Sequence, residues 1–141
     1  MTTLLRETSF TMVSLDDVLA SNAQIPRVLP RGLVAIFAGA TSGIGEATLA
    51  AFVKYAIEPK VYLFARNPAS AERVIAKCRQ LNPQGKYQFV QVELSSVQQT
   101  DGACEAVRKK EKLVNLVMLS AIEPSFDRKR KSPPSTMHTL I

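Results

Sequence analysis

The run Leu33-Val34-Ala35-Ile36-Phe37-Ala38 is apolar at every position, and Gly39-Ala40-Thr41-Ser42-Gly43-Ile44-Gly45 follows it directly. A short, unbroken apolar run is the pattern of a strand buried on both faces, as in a parallel sheet. Beyond the turn, Gly45, Leu49, Phe52, Val53 and Ala56 recur at i, i+4, i+7, i+8 and i+11, which defines one helix face. A strand, a glycine turn and a helix in this order make a cradle for an anion. Gly39 lets the chain leave the strand sharply, and Gly43 has no Cβ to block an approaching pyrophosphate. Gly45 falls on the inward face of the helix, where it permits close packing on the sheet. The N–H groups of the first helical turn face the anion and the macrodipole favours its charge. Thr41 and Ser42 add hydroxyl donors.

Downstream, the same alternation repeats. Residues 61–65 read as a second strand. Asn67-Pro68 opens a helix, with Asn as cap and Pro at the first helical position, and Ala71, Val74, Ile75, Cys78 and Leu81 form its expected buried stripe. Asn82-Pro83-Gln84-Gly85 turns the chain into a third strand over 87–92. Ser95-Ser96-Val97-Gln98 offers a capping box, and Val97, Cys104 and Val107 share a face of the helix that follows. Residues 113–119 read as a fourth strand. Alternation with these lengths demands parallel pairing and right-handed crossovers, so the fold class is α/β.

Upstream, Ser14-Leu15-Asp16-Asp17 signals a helix start, with a Ser cap and acids in the first turn, and the short helix reaches about residue 21. Ile25-Pro26 and Leu29-Pro30-Arg31-Gly32 then form a stiff connector. Three segments result: an extension over 1–32, a body over 33–122, and a basic tail over 123–141 expected to be disordered.

Composition narrows the function classes. The chain has 141 residues, 46% hydrophobic and 21% charged, which fits one globular domain. Its net charge of +6 is partly a tail effect, because Arg128, Lys129, Arg130 and Lys131 are clustered. Residues 1–126 carry 14 basic against 11 acidic side chains, or +3. Aromatics are 6% of the chain. A nucleic-acid surface wants a basic face with interleaved aromatics, so nucleic acid is not an expected partner. No apolar stretch is long enough for a membrane span, and Arg6 and Glu7 without an apolar run behind them lead us to expect no secretory signal. Two cysteines, Cys78 and Cys104, make neither a disulfide framework nor a metal knuckle and read as small core residues; the expected setting is cytoplasmic. His138 lies alone in the tail, without partners for catalysis or metal binding.

The glycine turn is spaced G-x-x-x-G-x-G, and here the sequence resembles the short-chain dehydrogenase/reductase family, whose turn reads T-G-x-x-x-G-I-G against Ala38-Gly39-Ala40-Thr41-Ser42-Gly43-Ile44-Gly45. The resemblance continues through Val61-Tyr62-Leu63-Phe64-Ala65-Arg66-Asn67, Val92-Glu93-Leu94-Ser95 and Asn115-Leu116-Val117-Met118-Leu119-Ser120-Ala121. It is similar to fungal members, many of which serve secondary-metabolite pathways. The resemblance implies a truncated Rossmann-type sheet of about four strands in the order 3-2-1-4. Two crossover helices would lie on one face and the third alone on the other. It also implies NADP(H) as cofactor, held by Gly39, Thr41, Ser42, Gly43, Ile44, Gly45, Arg66, Asn67, Glu93 and Leu94.

The residues themselves favour the phosphorylated cofactor. An acid at the end of the second strand would bind a ribose 2′-hydroxyl and repel a 2′-phosphate. This chain has Arg66 there, 21 residues beyond Gly45. A guanidinium binds phosphate bidentately, in bonds worth ~1.5–3 kcal/mol.

Two positions depart from the family pattern. Glu93-Leu94 stands where the family has Asp-Val/Leu at the adenine, and Leu119-Ser120-Ala121-Ile122 replaces Asn-Asn-Ala-Gly, which puts a side chain beside the nicotinamide ribose. The family's catalytic Ser and Tyr-x-x-x-Lys follow the fourth strand. Here Tyr55, Tyr62 and Tyr87 all precede it, and their +4 positions are Pro59, Arg66 and Gln91. No catalytic residue is therefore assigned. The expectation is an NADP(H)-dependent oxidoreductase-family chain cut before its catalytic pair and inactive alone. The alternative is a non-catalytic nucleotide-binding or interaction module, pairing with a second copy or a full-length relative.

Overall fold

A computed structural model describes residues 12–121; the first eleven residues of the expected extension, Ile122 at the end of the expected body, and the expected tail over 123–141 with His138 lie outside them. In chain order the elements are α1 (Leu15–Asn22), α2 (Ile25–Val28), β1 (Val34–Ala38), α3 (Gly43–Tyr55), β2 (Lys60–Ala65), α4 (Pro68–Leu81), β3 (Lys86–Gln91), α5 (Val97–Arg108) and β4 (Leu116–Leu119). The strands form one sheet in the order β3-β2-β1-β4. Every pairing is parallel: Val34 aligns with Lys60, Lys60 with Lys86, and Ala35 with Leu116. This is the order that the family resemblance implied; given it, right-handed crossovers place α3 and α4 on one face and α5 on the other.

The period of two along each strand sorts the core into two layers. Ala35, Phe37, Val61, Leu63 and Ala65 pack with Leu49 and Val53 of α3 and with Ala71, Val74, Ile75 and Cys78 of α4. Val34, Ala38, Tyr62 and Phe64 point the other way and pack with Ala103 and Val107 of α5. Two helices thus cover one face and a single helix covers the other. β4 is the thinly covered edge, where Val117 is 55% and Leu119 75% exposed.

Several local expectations shift. Leu81 is exposed although the rest of its stripe is buried, and Val97 is exposed although Val107 is buried. Leu81 is the last residue of α4 and Val97 the first of α5, so both departures fall at helix ends. The cap of α5 is Ser96, not Ser95: its Oγ accepts from Gln99 N at 3.3 Å. The Gln99 side chain accepts from Glu93 N at 3.0 Å instead of closing a box. The connector after α1 contains a helical turn of its own, with Pro26 in its first turn. β4 starts at Leu116 and not at residue 113, because Asn115 Oδ1 takes the Val34 N–H at 2.9 Å that a strand carbonyl would otherwise accept.

At the amino ends of the strands, Glu111 ties the loop after α5 to the sheet. Lys60 Nζ lies 2.8 Å from its Oε1, and the Tyr62 hydroxyl donates to it at 2.6 Å. Lys60 and Tyr62 together hold the Glu111 carboxyl below its ordinary range. Burial, reinforced by Glu111, pushes the Tyr62 phenol up to about 12. Among the described residues no helix is long and apolar enough to cross a membrane.

Candidate functional site

The carboxyl ends of the strands open into a cleft of about 830 Å³. In a parallel α/β sheet this is the edge where ligands sit, outside the strand ends and beside the helix N-termini. All the residues singled out from the sequence line it: Gly39, Thr41, Ser42, Gly43, Ile44 and Gly45 from the turn after β1, Arg66 and Asn67 after β2, and Glu93 and Leu94 after β3. Met118, Leu119, Ser120 and Ala121, at and beyond the end of β4, form its fourth wall; the sequence marked Leu119 to Ala121 only as a departure from the family pattern near the nicotinamide ribose and gave none of the four a binding role.

The turn has the backbone that its glycines suggest. Gly39 lies at φ +78° and Gly43 at φ +57°, the left-handed region that side chains avoid. A Cβ on Gly39 would come within 2.5 Å of the main chain of Ala121, whereas one on Gly43 would meet nothing within 4 Å and project into open space. Gly45 sits against the Ser120 side chain and the main chain of Ala40, as close helix–sheet packing requires. Ser120 Oγ donates to the Gly39 carbonyl at 3.2 Å, so the exit of β4 braces the turn.

The start of α3, like that of the one-turn helix α2, has no side-chain cap, unlike the starts of α1, α4 and α5. Ser14, Asn67 and Ser96 each cap their helices by accepting a main-chain N–H. Ser42 makes no such bond among the described residues. A helix start without a side-chain cap leaves its first-turn donors to solvent or to a ligand. Ile44, one residue into that turn, is 78% exposed.

Across the cleft, Arg66 Nη1 lies 3.7 Å from Glu93 Oε2. The other carboxylate oxygen of Glu93 accepts from the Ser95 hydroxyl at 3.1 Å, and Gln91 Nε2 donates to the Arg66 carbonyl at 3.2 Å. Asn67 is occupied as the α4 cap, accepting from Ser70 N at 3.1 Å, and Leu94 packs against the second core layer. Of the cysteines, Cys78 is buried and Cys104 half-buried. Burial pushes the Cys78 thiol up to about 11, which suits a core residue and not a nucleophile.

A parallel sheet in this order, with a glycine turn at the mouth of a carboxyl-end cleft, defines an α/β protein of the Rossmann type. The sequence profile of short chain dehydrogenases matches residues 33–131. The chain belongs to the short chain dehydrogenase family. Among curated relatives it is 38% identical over 109 residues to oxidoreductase AN1596 of Emericella nidulans, covering 77% of this chain and 32% of the relative. It is 43% identical over 89 residues to oxidoreductase andH of Emericella variicolor, covering 63% and 26%. Short-chain dehydrogenase/reductase SAT2 of Stachybotrys chartarum is 29% identical over 105 residues, covering 71% and 29%. The matched part thus spans between a quarter and a third of the length of these relatives. Among solved structures, L-sorbose reductase from Gluconobacter frateurii, complexed with NADPH and L-sorbose, superposes with a TM-score of 0.62 at 21% identity, over 74% of this chain and 38% of that one.

Proposed function

We propose that the cleft binds NADP(H) and that these residues are the cofactor-binding part of an oxidoreductase. The observation that carries this reading is the convergence, in one carboxyl-end cleft, of the uncapped start of α3, the two positive-φ glycines and Arg66. The pyrophosphate would lie on residues 39–45, where Gly43 leaves the space that a side chain would fill. Arg66 would exchange its long contact with Glu93 for the 2′-phosphate. When bound, the cofactor supplies the hydride; the chain's own residues orient it and set which dinucleotide is preferred.

Arg66→Ala is expected to cost ~1.5–3 kcal/mol in NADPH binding and little in NADH binding. Gly43→Val is expected to weaken both, because the pyrophosphate is common to them. Titration calorimetry checks both. Equal losses for the two cofactors in Arg66→Ala would remove Arg66 from the 2′-phosphate, and normal binding by Gly43→Val would remove the cradle.

Self-association belongs to the same reading. β4 presents an exposed edge with apolar side chains on both its faces, and parallel sheets are normally covered. The chain is expected to run by light scattering as a species larger than one copy at tens of micromolar. A sharp single-copy peak with a cooperative melt would count against it. Two unpaired thiols, one of them buried, fit a reducing cytoplasmic setting.

A further inference from the structure

The turn of residues 39–45 is tied down from outside the cleft. Arg73, on the second turn of α4, donates from Nη2 to the main-chain oxygen of Thr41 at 2.7 Å. The same guanidinium forks onto Glu46 of α3, with Nη1 3.0 Å from Oε1 and Nη2 2.9 Å from Oε2. Lys77, one helical turn further along α4, adds a bond to Glu46 Oε1 at 3.2 Å. Thr41 lines the cleft and Arg73 does not. One planar fork therefore joins α4 to both the turn and the helix that the turn opens, which a point-like ammonium cannot do in the same geometry.

Two consequences follow from elementary chemistry. In a trans peptide the carbonyl and the next N–H point in opposite directions, so fixing the Thr41 oxygen on Arg73 aims the Ser42 N–H away from Arg73. Glu46 sits in the first turn of α3, where a bare carboxylate would repel the phosphates of a dinucleotide. The Arg73 bond, with Lys77 beside it, holds that carboxyl down to about 2, so it is charged at neutral pH but flanked by two cations.

We infer that Arg73 is a positioning residue for the dinucleotide: it sets the peptide between Thr41 and Ser42 and shields Glu46, without touching the ligand. The inference rests on the reading of the cleft as a dinucleotide site. It differs from the role given to Arg66, because the pyrophosphate is common to both cofactors and the 2′-phosphate is not.

The test compares Arg73→Met and Arg73→Lys with Arg66→Ala, using NADPH and NADH titrated by nicotinamide fluorescence, thermal melts, and amide hydrogen exchange over residues 39–46 of the ligand-free chain. Arg73→Met is expected to weaken both cofactors alike, by about tenfold, the loss of one charge-assisted hydrogen bond. It should also speed exchange in the turn. Arg73→Lys keeps a cation on Glu46, so it should melt like the original chain and still bind both cofactors several-fold more weakly. Either variant binding like the original overturns the inference, as does a loss confined to NADPH or an affinity loss that merely follows the melting midpoint. If the original chain binds neither cofactor, the dinucleotide reading fails by itself. Exchange then decides for Arg73: unchanged exchange in Arg73→Met overturns its hold on the turn, and faster exchange upholds it.

Discussion

Supplied with NADPH and a panel of ketones and aldehydes, the 141-residue chain is expected to leave the cofactor unoxidised. Hydride transfer to a carbonyl builds an alkoxide that needs a proton donor in the transition state. General acid catalysis contributes about 10²–10⁴-fold, and holding the two reactants together contributes ~7–11 kcal/mol of the barrier. The family draws its donor from a Tyr-x-x-x-Lys pair, which these residues lack. None of the three tyrosines is among the described residues lining the cleft. Tyr55 ends α3, with Lys54 Nζ 5.3 Å from its ring centre. The Tyr62 hydroxyl is bonded to Glu111 at the opposite end of the sheet, and that of Tyr87 donates to the Asn82 carbonyl at 2.8 Å. Burial pushes both phenols up to about 12, the wrong direction for an acid working near neutrality. The assay needs Gly43→Val beside it to expose contaminating reductases. Ordinary turnover that vanishes in Gly43→Val would mean that a proton donor other than these three tyrosines acts in the cleft.

The second large effect concerns folding. Gly39→Ala is expected to destabilise the chain by about 3 kcal/mol or more, whereas Gly43→Ala should cost about 1–2 kcal/mol, although both glycines have positive φ. The left-handed backbone penalty is common to the two. The difference is what a methyl would meet: the main chain of Ala121 at 2.5 Å for Gly39, open space for Gly43. Ala121 follows β4, so relieving the clash displaces the exit of that strand. A loss of 3 kcal/mol lowers a melting midpoint by roughly 10–20 °C for a small domain. Thermal melts of the two variants side by side check this, and equal midpoints would show that the approach of Ala121 to the turn does not constrain Gly39.

Much of this was legible in the chain. An apolar run followed by a glycine turn specifies both the two-faced strand and the anion cradle, because few other residues tolerate the turn. Parallel pairing was legible from the alternation of strands and helices, but the strand order came only from the family resemblance; crossover handedness then sets which face each helix covers. Arg66 could be placed because its distance from Gly45 is set by one helix and one strand. The misses share a cause. Leu81 and Val97 obey the helical period but are the terminal residues of their helices, and periodicity carries no information about where a helix stops packing. The Ser95-to-Ser96 shift is a choice between adjacent equivalent caps, decided by Gln99 bonding back to Glu93 N. Arg73 and Thr41 are 32 residues apart with no motif between them, so only the packing of α4 beside α3 brings them together.

The cluster of Glu111, Lys60 and Tyr62 stands at the amino ends of the strands, and the cleft opens at the carboxyl ends. Between them lies the length of the strands, with no charged side chain buried among the described residues. Sequence drift at one end is therefore largely silent at the other, since distant sites without shared partners add independently. A lineage could exchange the Glu111 latch for an apolar contact, or retune the walls around Arg66 and Glu93 for another nucleotide, in either order and without passing through an unfolded intermediate genotype.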